Sequence, residues 1–115
     1  MEGTNTMRYV ILSAILALFS IQPAYSGYNE YHDAAEDHFR SSKEPTALDA
    51  DWPTPSSFYV SVKDNGRNRD GYAEYVCQVL MDYGFKGRAI VIRIIDIDYL
   101  ANNMDYRILG TGFCR

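Results

Sequence analysis

At 115 residues the chain has room for one substantial domain. With 47% hydrophobic and 23% charged residues its make-up is that of an ordinary globular protein. A formal net charge of −4 argues against strong nucleic-acid binding, which rests on neutralising phosphates with lysine and arginine.

The first element is an export segment. In "MRYVILSAILALFSIQPAYSG", Met7 to Gly27, Arg8 supplies a positive charge and Tyr9 to Ile21 form an apolar run broken only by Ser13 and Ser20. Pro23 ends the run, and Ala24 and Ser26 place small residues where a signal peptidase reads them. Cleavage is expected between Ser26 and Gly27, making residues 1–26 a removed signal peptide. The run is shorter than the ~20 apolar residues of a membrane-spanning helix, so no stable membrane anchor is expected after cleavage; an uncleaved signal anchor is the competing reading. Glu2, with no base before Met7, is unfavourable in a signal n-region and favours Met7 as the start of translation. The protein is therefore expected in the periplasm or secreted.

Residues 27–56 read as an acidic, partly disordered arm. Residues 27–51 carry Glu30, Asp33, Glu36, Asp37, Glu44, Asp49 and Asp51 against Arg40 and Lys43. The stretch then runs into "DWPTPSS", where Pro53 and Pro55 cannot donate backbone hydrogen bonds and restrict the residues before them. A short helix over Tyr28–Arg40 is allowed, with Tyr28, Tyr31, Ala35 and Phe39 as a weak apolar stripe.

Residues 57–115 read as a compact β-α-β-β domain. "SFYVSV" alternates Phe58, Val60 and Val62 with Tyr59, Ser61 and Lys63 at strand period. After the loop "KDNGRNRD", Asp70 is expected to cap a helix whose apolar face is Tyr72, Ala73, Val76, Cys77, Leu80 and Tyr83. Gly84 ends it, because glycine tolerates a left-handed conformation. "RAIVIRIIDIDYL" reads as a strand only if a bulge falls at Ile94–Ile95. That puts Ile90, Ile92, Ile97 and Tyr99 on the inner face and Val91, Arg93, Asp96 and Asp98 on the outer. "ANNMD" then makes a hairpin turn and "YRILGTGFCR" returns as the last strand. The expected class is α/β of the α+β type: a two-layer sandwich, one helix on a three-stranded mixed sheet, with the first two strands joined by a right-handed crossover.

Cys77 and Cys114 are the only cysteines, and in an oxidising compartment an even count reads as a disulfide. A metal or redox role is the competing reading, but neither cysteine has a neighbouring ligand or a C-x-x-C spacing. Gly110 and Gly112 precede Cys114 on one side of the last strand, leaving room for a helix to come close.

The chemistry-bearing candidates are few. "HDAAEDH" holds His32 and His38, but their spacing keeps the rings off one helical face and no third metal ligand follows. Asp96 and Asp98 would lie ~7 Å apart on one side of a strand, a pair suited to acid/base work or a hard cation. Lys63, Arg67 and Arg69 concentrate base on one loop ahead of a helix N-terminus, without phosphate-loop spacing. No catalytic set is visible and no cofactor or metal is implied.

One helix leaves one sheet face open. It would show Tyr59, Lys63, Val91, Arg93, Leu109 and Phe113, the kind of apolar patch that marks an interaction surface. The expected function is a small exported binding module using that face and the basic loop, with a protein or cell-envelope component as partner and no nucleic acid. Dimerisation through the face, or cover by Trp52 and the arm, competes with that reading. A small metal-dependent hydrolase using Asp96 and Asp98 is the alternative of a different class.

Overall fold

The computed structural model describes residues 27–115; the expected signal peptide and its apolar run lie outside the described residues. The first helix, α1, spans Glu30–Arg40. Asn29, in extended backbone, accepts the Tyr31 N–H on its Oδ1 at 2.9 Å, and His32 Nδ1 accepts the Asn29 N–H at 3.1 Å. This reciprocal cap satisfies amides that the first turn leaves free. The buried stripe is His32, Ala35 and Phe39, so the expected stripe is shifted: Tyr31 stays outside and His32 turns in.

The next strand, β1 (Asp49–Thr54), pairs antiparallel with β2 (Ser57–Val62). Residues 27–56, expected as a partly disordered arm, thus contribute a helix and an edge strand. Ala50 and Trp52 alternate into the core while Asp49 and Asp51 point away from it, so the acid-rich composition hides a strand period. Pro53 is tolerated because β1 is an edge strand.

Helix α2 (Asp70–Leu80) runs into a widened turn of π type, Met81–Phe85, which ends where Gly84 takes φ 93°. That is the left-handed position expected of it. Strand β3 (Ile90–Asp96) lies parallel to β2 across this α2 connection. A short helix, α3 (Ile97–Asn103), follows, and β4 (Ile108–Cys114) returns antiparallel to β3. The sheet order is β1-β2-β3-β4. The class is α+β with a mixed sheet, as expected; beyond the elements read from the sequence, including the helix allowed over Tyr28–Arg40, it carries one more strand, β1, and one more helix, α3.

The bulge falls between Ile94 and Ile95, as expected, but the extra residue belongs to the partner strand. Ile94 pairs with Gly110 and Ile95 with Ile108, leaving Leu109 unpaired on β4. Phe58, Val60, Val62, Ile90, Ile92 and Ile94 form the sheet side of the core, with Ala35 and Phe39 of α1 and Ala73, Val76 and Leu80 of α2 closing it from the same face. The Phe39 and Phe58 rings meet edge-on at 5.4 Å. Trp52 joins this side, stacked on Phe85 at 5.1 Å, so it covers the helix-facing layer rather than the open face.

Helix α2 is clasped to β4. A Cβ on Gly110 would overlap the backbone of Arg69 and stand 2.6 Å from Asp70 N; one on Gly112 would stand 2.9 Å from the Ala73 methyl. Cys114 then bonds Cys77 with the Cα atoms 5.4 Å apart. Asp70 does not cap its helix as expected. Its Oδ1 accepts the Thr111 N–H of β4 at 2.8 Å, while Asn68 Oδ1 accepts the Asp70 N–H and the Arg69 N–H donates to Leu109 O. The close approach to Gly110 brings the Thr111 amide of β4 within hydrogen-bond reach of that carboxylate, and no side chain caps the first turn.

Candidate binding face

The face without α1 or α2 is built from the alternate residues of the four strands. Its central cross-strand row is Asp51, Tyr59, Arg93 and Thr111; the next row sets Ser57, Val91 and Phe113 side by side. Phe113 is 62% exposed. The Arg93 Nη1 donates to Tyr59 Oη at 3.1 Å and its guanidinium lies 5.9 Å from the Tyr59 ring centre. Its Nε is buried without a hydrogen-bond partner among the described residues. Arg115 lies over the Phe113 ring at 5.6 Å.

Tyr106, in the turn after α3, folds over the same face and meets Tyr59 edge-on at 5.0 Å. Burial, then the nearby Asp51 charge, raises the Tyr106 hydroxyl above its ordinary pKa. Burial and the neighbouring Asp49 likewise push the Asp51 carboxyl up, against the pull of Arg40. Ser61 and Ile95 belong to this face by register but are buried, so the face is open around Arg93, Val91 and Phe113 and closed toward α3.

Leu109, expected on this face, packs against the core instead, because the bulge at its position turns it around; Ile108 takes the outward place and is 48% exposed. The residues that sequence reasoning missed are therefore Tyr106, Ile108 and Arg115. Arg115 follows Phe113 by two and was legible by alternation; Tyr106 was not, because its place depends on α3.

The basic loop is largely engaged at home. Lys63 pairs with Asp98 at 2.9 Å, and Arg69 donates through Nη2 to Lys63 O at 2.9 Å. Arg67 is exposed, and Arg88 lies over the Phe85 ring at 5.3 Å. Among the described residues no ion pair links this loop to the acidic segment, whose Arg40 holds Glu36 and Asp49 itself.

Asp96 and Asp98 are not a pair on one strand side. β3 ends at Asp96, whose Oδ1 accepts the Asp98 and Tyr99 amides as the cap of α3, and Asp98 lies on that helix against Lys63. A helix starting at Ile97 rotates the two carboxylates apart, which overturns the strand reading for that stretch. The histidines are also far from a shared metal site. His32 is buried between Tyr28, Trp52 and Phe85, with Nε2 at 2.9 Å from Pro55 O. Because the Asn29 N–H donates to Nδ1, Nε2 carries the proton and donates to that carbonyl. His38 sits between the Tyr83 hydroxyl at 2.8 Å and Glu44 Oε2 at 2.9 Å, and the same oxygen accepts from Tyr75 at 2.6 Å. This network ties the loop after α1 to α2 and its π turn. Among the described residues no group of three or more acidic, histidine or cysteine side chains is placed to hold a metal. Comparison with family models, curated proteins and solved structures finds no match to this chain.

Proposed function

We propose that the protein is exported and acts by binding, engaging its partner through the open sheet face around Arg93, Tyr59, Val91 and Phe113. The observation that carries this reading is Arg93: a guanidinium laid against a tyrosine, without a carboxylate partner among the described residues, beside the exposed Phe113 ring. Arginine and aromatic side chains of this kind dominate the energy of protein interfaces, and a planar fork already held in place loses little freedom on binding. Export is supported by the disulfide between Cys77 and Cys114, a bond that persists in oxidising compartments, and by the signal-type sequence from Met7 to Gly27. Among the described residues no helix is long and apolar enough to cross a membrane.

The test is a pull-down from the secreted or periplasmic fraction with the native protein, Phe113→Asp and Arg93→Gln as parallel baits. Partners retained equally by all three would remove the face from consideration. Partners lost from both variants, with folding unchanged, are the expected result.

A further inference from the structure

The open face combines an apolar centre with two cations that have no carboxylate partner among the described residues. Val91 and Phe113 are direct cross-strand neighbours. Arg93 stands two residues along β3 from Val91, in the row of Thr111, and Arg115 lies beyond and over Phe113. Arg115, just past the end of β4, is four positions beyond Thr111, which is about 13 Å along an extended chain. Arg40 and Arg107 have carboxylates within 4.0 Å; among the described residues neither Arg93 nor Arg115 has one. The pattern is positive, apolar, positive, in a chain whose net charge is −4.

Resting on the face being the binding surface, we infer that its occupant is an acidic segment of a partner protein in extended form, with carboxylates at Arg93 and Arg115 and an apolar side chain between them on Val91 and Phe113. Three features argue for this chemistry. An extended chain repeats its side chains on one face every second residue, so a carboxylate, an apolar group and a carboxylate at i, i+2 and i+4 span the same ~13 Å. Arg93 keeps N–H groups beyond the one given to Tyr59, arranged in the fork that matches a carboxylate. Asp51 and Asp49 of the neighbouring β1 do not serve: Asp51, in the Arg93 row, is two strands away with Tyr59 between, and Asp49 is held by Arg40.

The test titrates the isotope-labelled, disulfide-bonded protein with three synthetic peptides: Ser-Glu-Ser-Phe-Ser-Glu-Ser, the same peptide with Lys for both Glu, and the same with Ala for Phe. Amide shifts give affinity and location together. The expected result is shifts at Val91, Arg93, Thr111, Phe113 and Arg115, with the Glu peptide binding roughly 10-fold more tightly than the Lys peptide, the size of a charge-assisted contact. Arg93→Gln should remove most of that preference, and added salt should weaken it. Equal binding of the Glu and Lys peptides on this face overturns the acidic-segment inference while leaving the face as a binding surface. Shifts elsewhere, no binding of the Glu peptide, or shifts on this face only with phosphatidylglycerol vesicles also overturn it; the pull-down then decides separately whether the face binds a protein.

Discussion

Gly112 sits so near Ala73 that a Cβ on it would stand 2.9 Å from the Ala73 methyl, with Ala73 backbone atoms at 3.1 and 3.2 Å. Helix α2 therefore rests on the bare backbone of β4. Gly112→Ala is expected to destabilise by about 1–3 kcal/mol, the range of overpacking in a core. Gly110→Ala should cost more, because its Cβ would meet backbone that cannot turn aside. Urea unfolding of both variants checks the order; equal and small effects would show that α2 can lift off β4 freely. The double variant Gly112→Ala, Ala73→Gly should recover part of the loss, less the ~1 kcal/mol that glycine costs in a helix.

Much of this clasp was legible in the sequence. Cys77 on the apolar helix face, and two glycines alternating with outward residues ahead of Cys114, are local patterns that folding does not override. The end of the second helix at Gly84 was legible for the same reason. Two elements were not. In β1 the acids and prolines mask an alternation that only its pairing with β2 reveals. After β3, Ile95, Ile97 and Tyr99 continue a period of two, so the chain reads as strand while Asp96 in fact caps a helix. The binding face suffered in one place. Pattern on β3 locates a register shift but cannot say which strand of the pair holds the extra residue, and that decides whether Leu109 or Ile108 faces out.

Leu109 and Phe113 should separate in a substitution experiment. Leu109→Asp buries a charge against the core and is expected to cost several kcal/mol, enough to threaten a protein of this size. Phe113→Asp should change unfolding free energy little, since the ring is mostly exposed. Thermal unfolding monitored by near-ultraviolet circular dichroism distinguishes them; similar losses would mean that the bulge places Leu109 outward after all.

Removing the disulfide by Cys77→Ser with Cys114→Ser is expected to lower stability by roughly 4 kcal/mol, from a loop spanning 37 positions. Hydrogen exchange should rise first in β4 beyond the bulge. Uniform loss of protection across all four strands would show instead that the bond acts only through the unfolded chain.

Glu44 is buried and receives Tyr75 and His38 on one oxygen. Glu44→Ala leaves both partners unmatched and should cost about 2–4 kcal/mol. The hydrogen bond from Tyr75 to Glu44, before burial, holds the Tyr75 hydroxyl above its ordinary pKa. Absorbance titration should show one tyrosine ionising at lower pH in Glu44→Gln than in the native protein. An unchanged titration would detach Tyr75 from Glu44 in solution.

Asp51 gives a pH dependence of defined sign. Its folded pKa lies above the ordinary 3.8, so the native state holds that proton more tightly than the unfolded chain. Its contribution is fully present below 3.8 and is lost as pH rises through the folded value. Asp51→Asn is thus expected to be more stable than the native protein at neutral pH, with the advantage vanishing in acid. A variant less stable at neutral pH would mean that the Arg40 charge, not burial, governs the site.

The hydrogen bonds from Arg69 to Leu109 O and from Thr111 to Asp70 have a consequence for how copies of the protein meet. They occupy outward-pointing backbone groups of one border strand, where another chain would otherwise dock. At the other border, Pro53 and the acids of β1 work against the same kind of attachment. Growth of the sheet from molecule to molecule is hindered at both ends, which works against stacking into fibres.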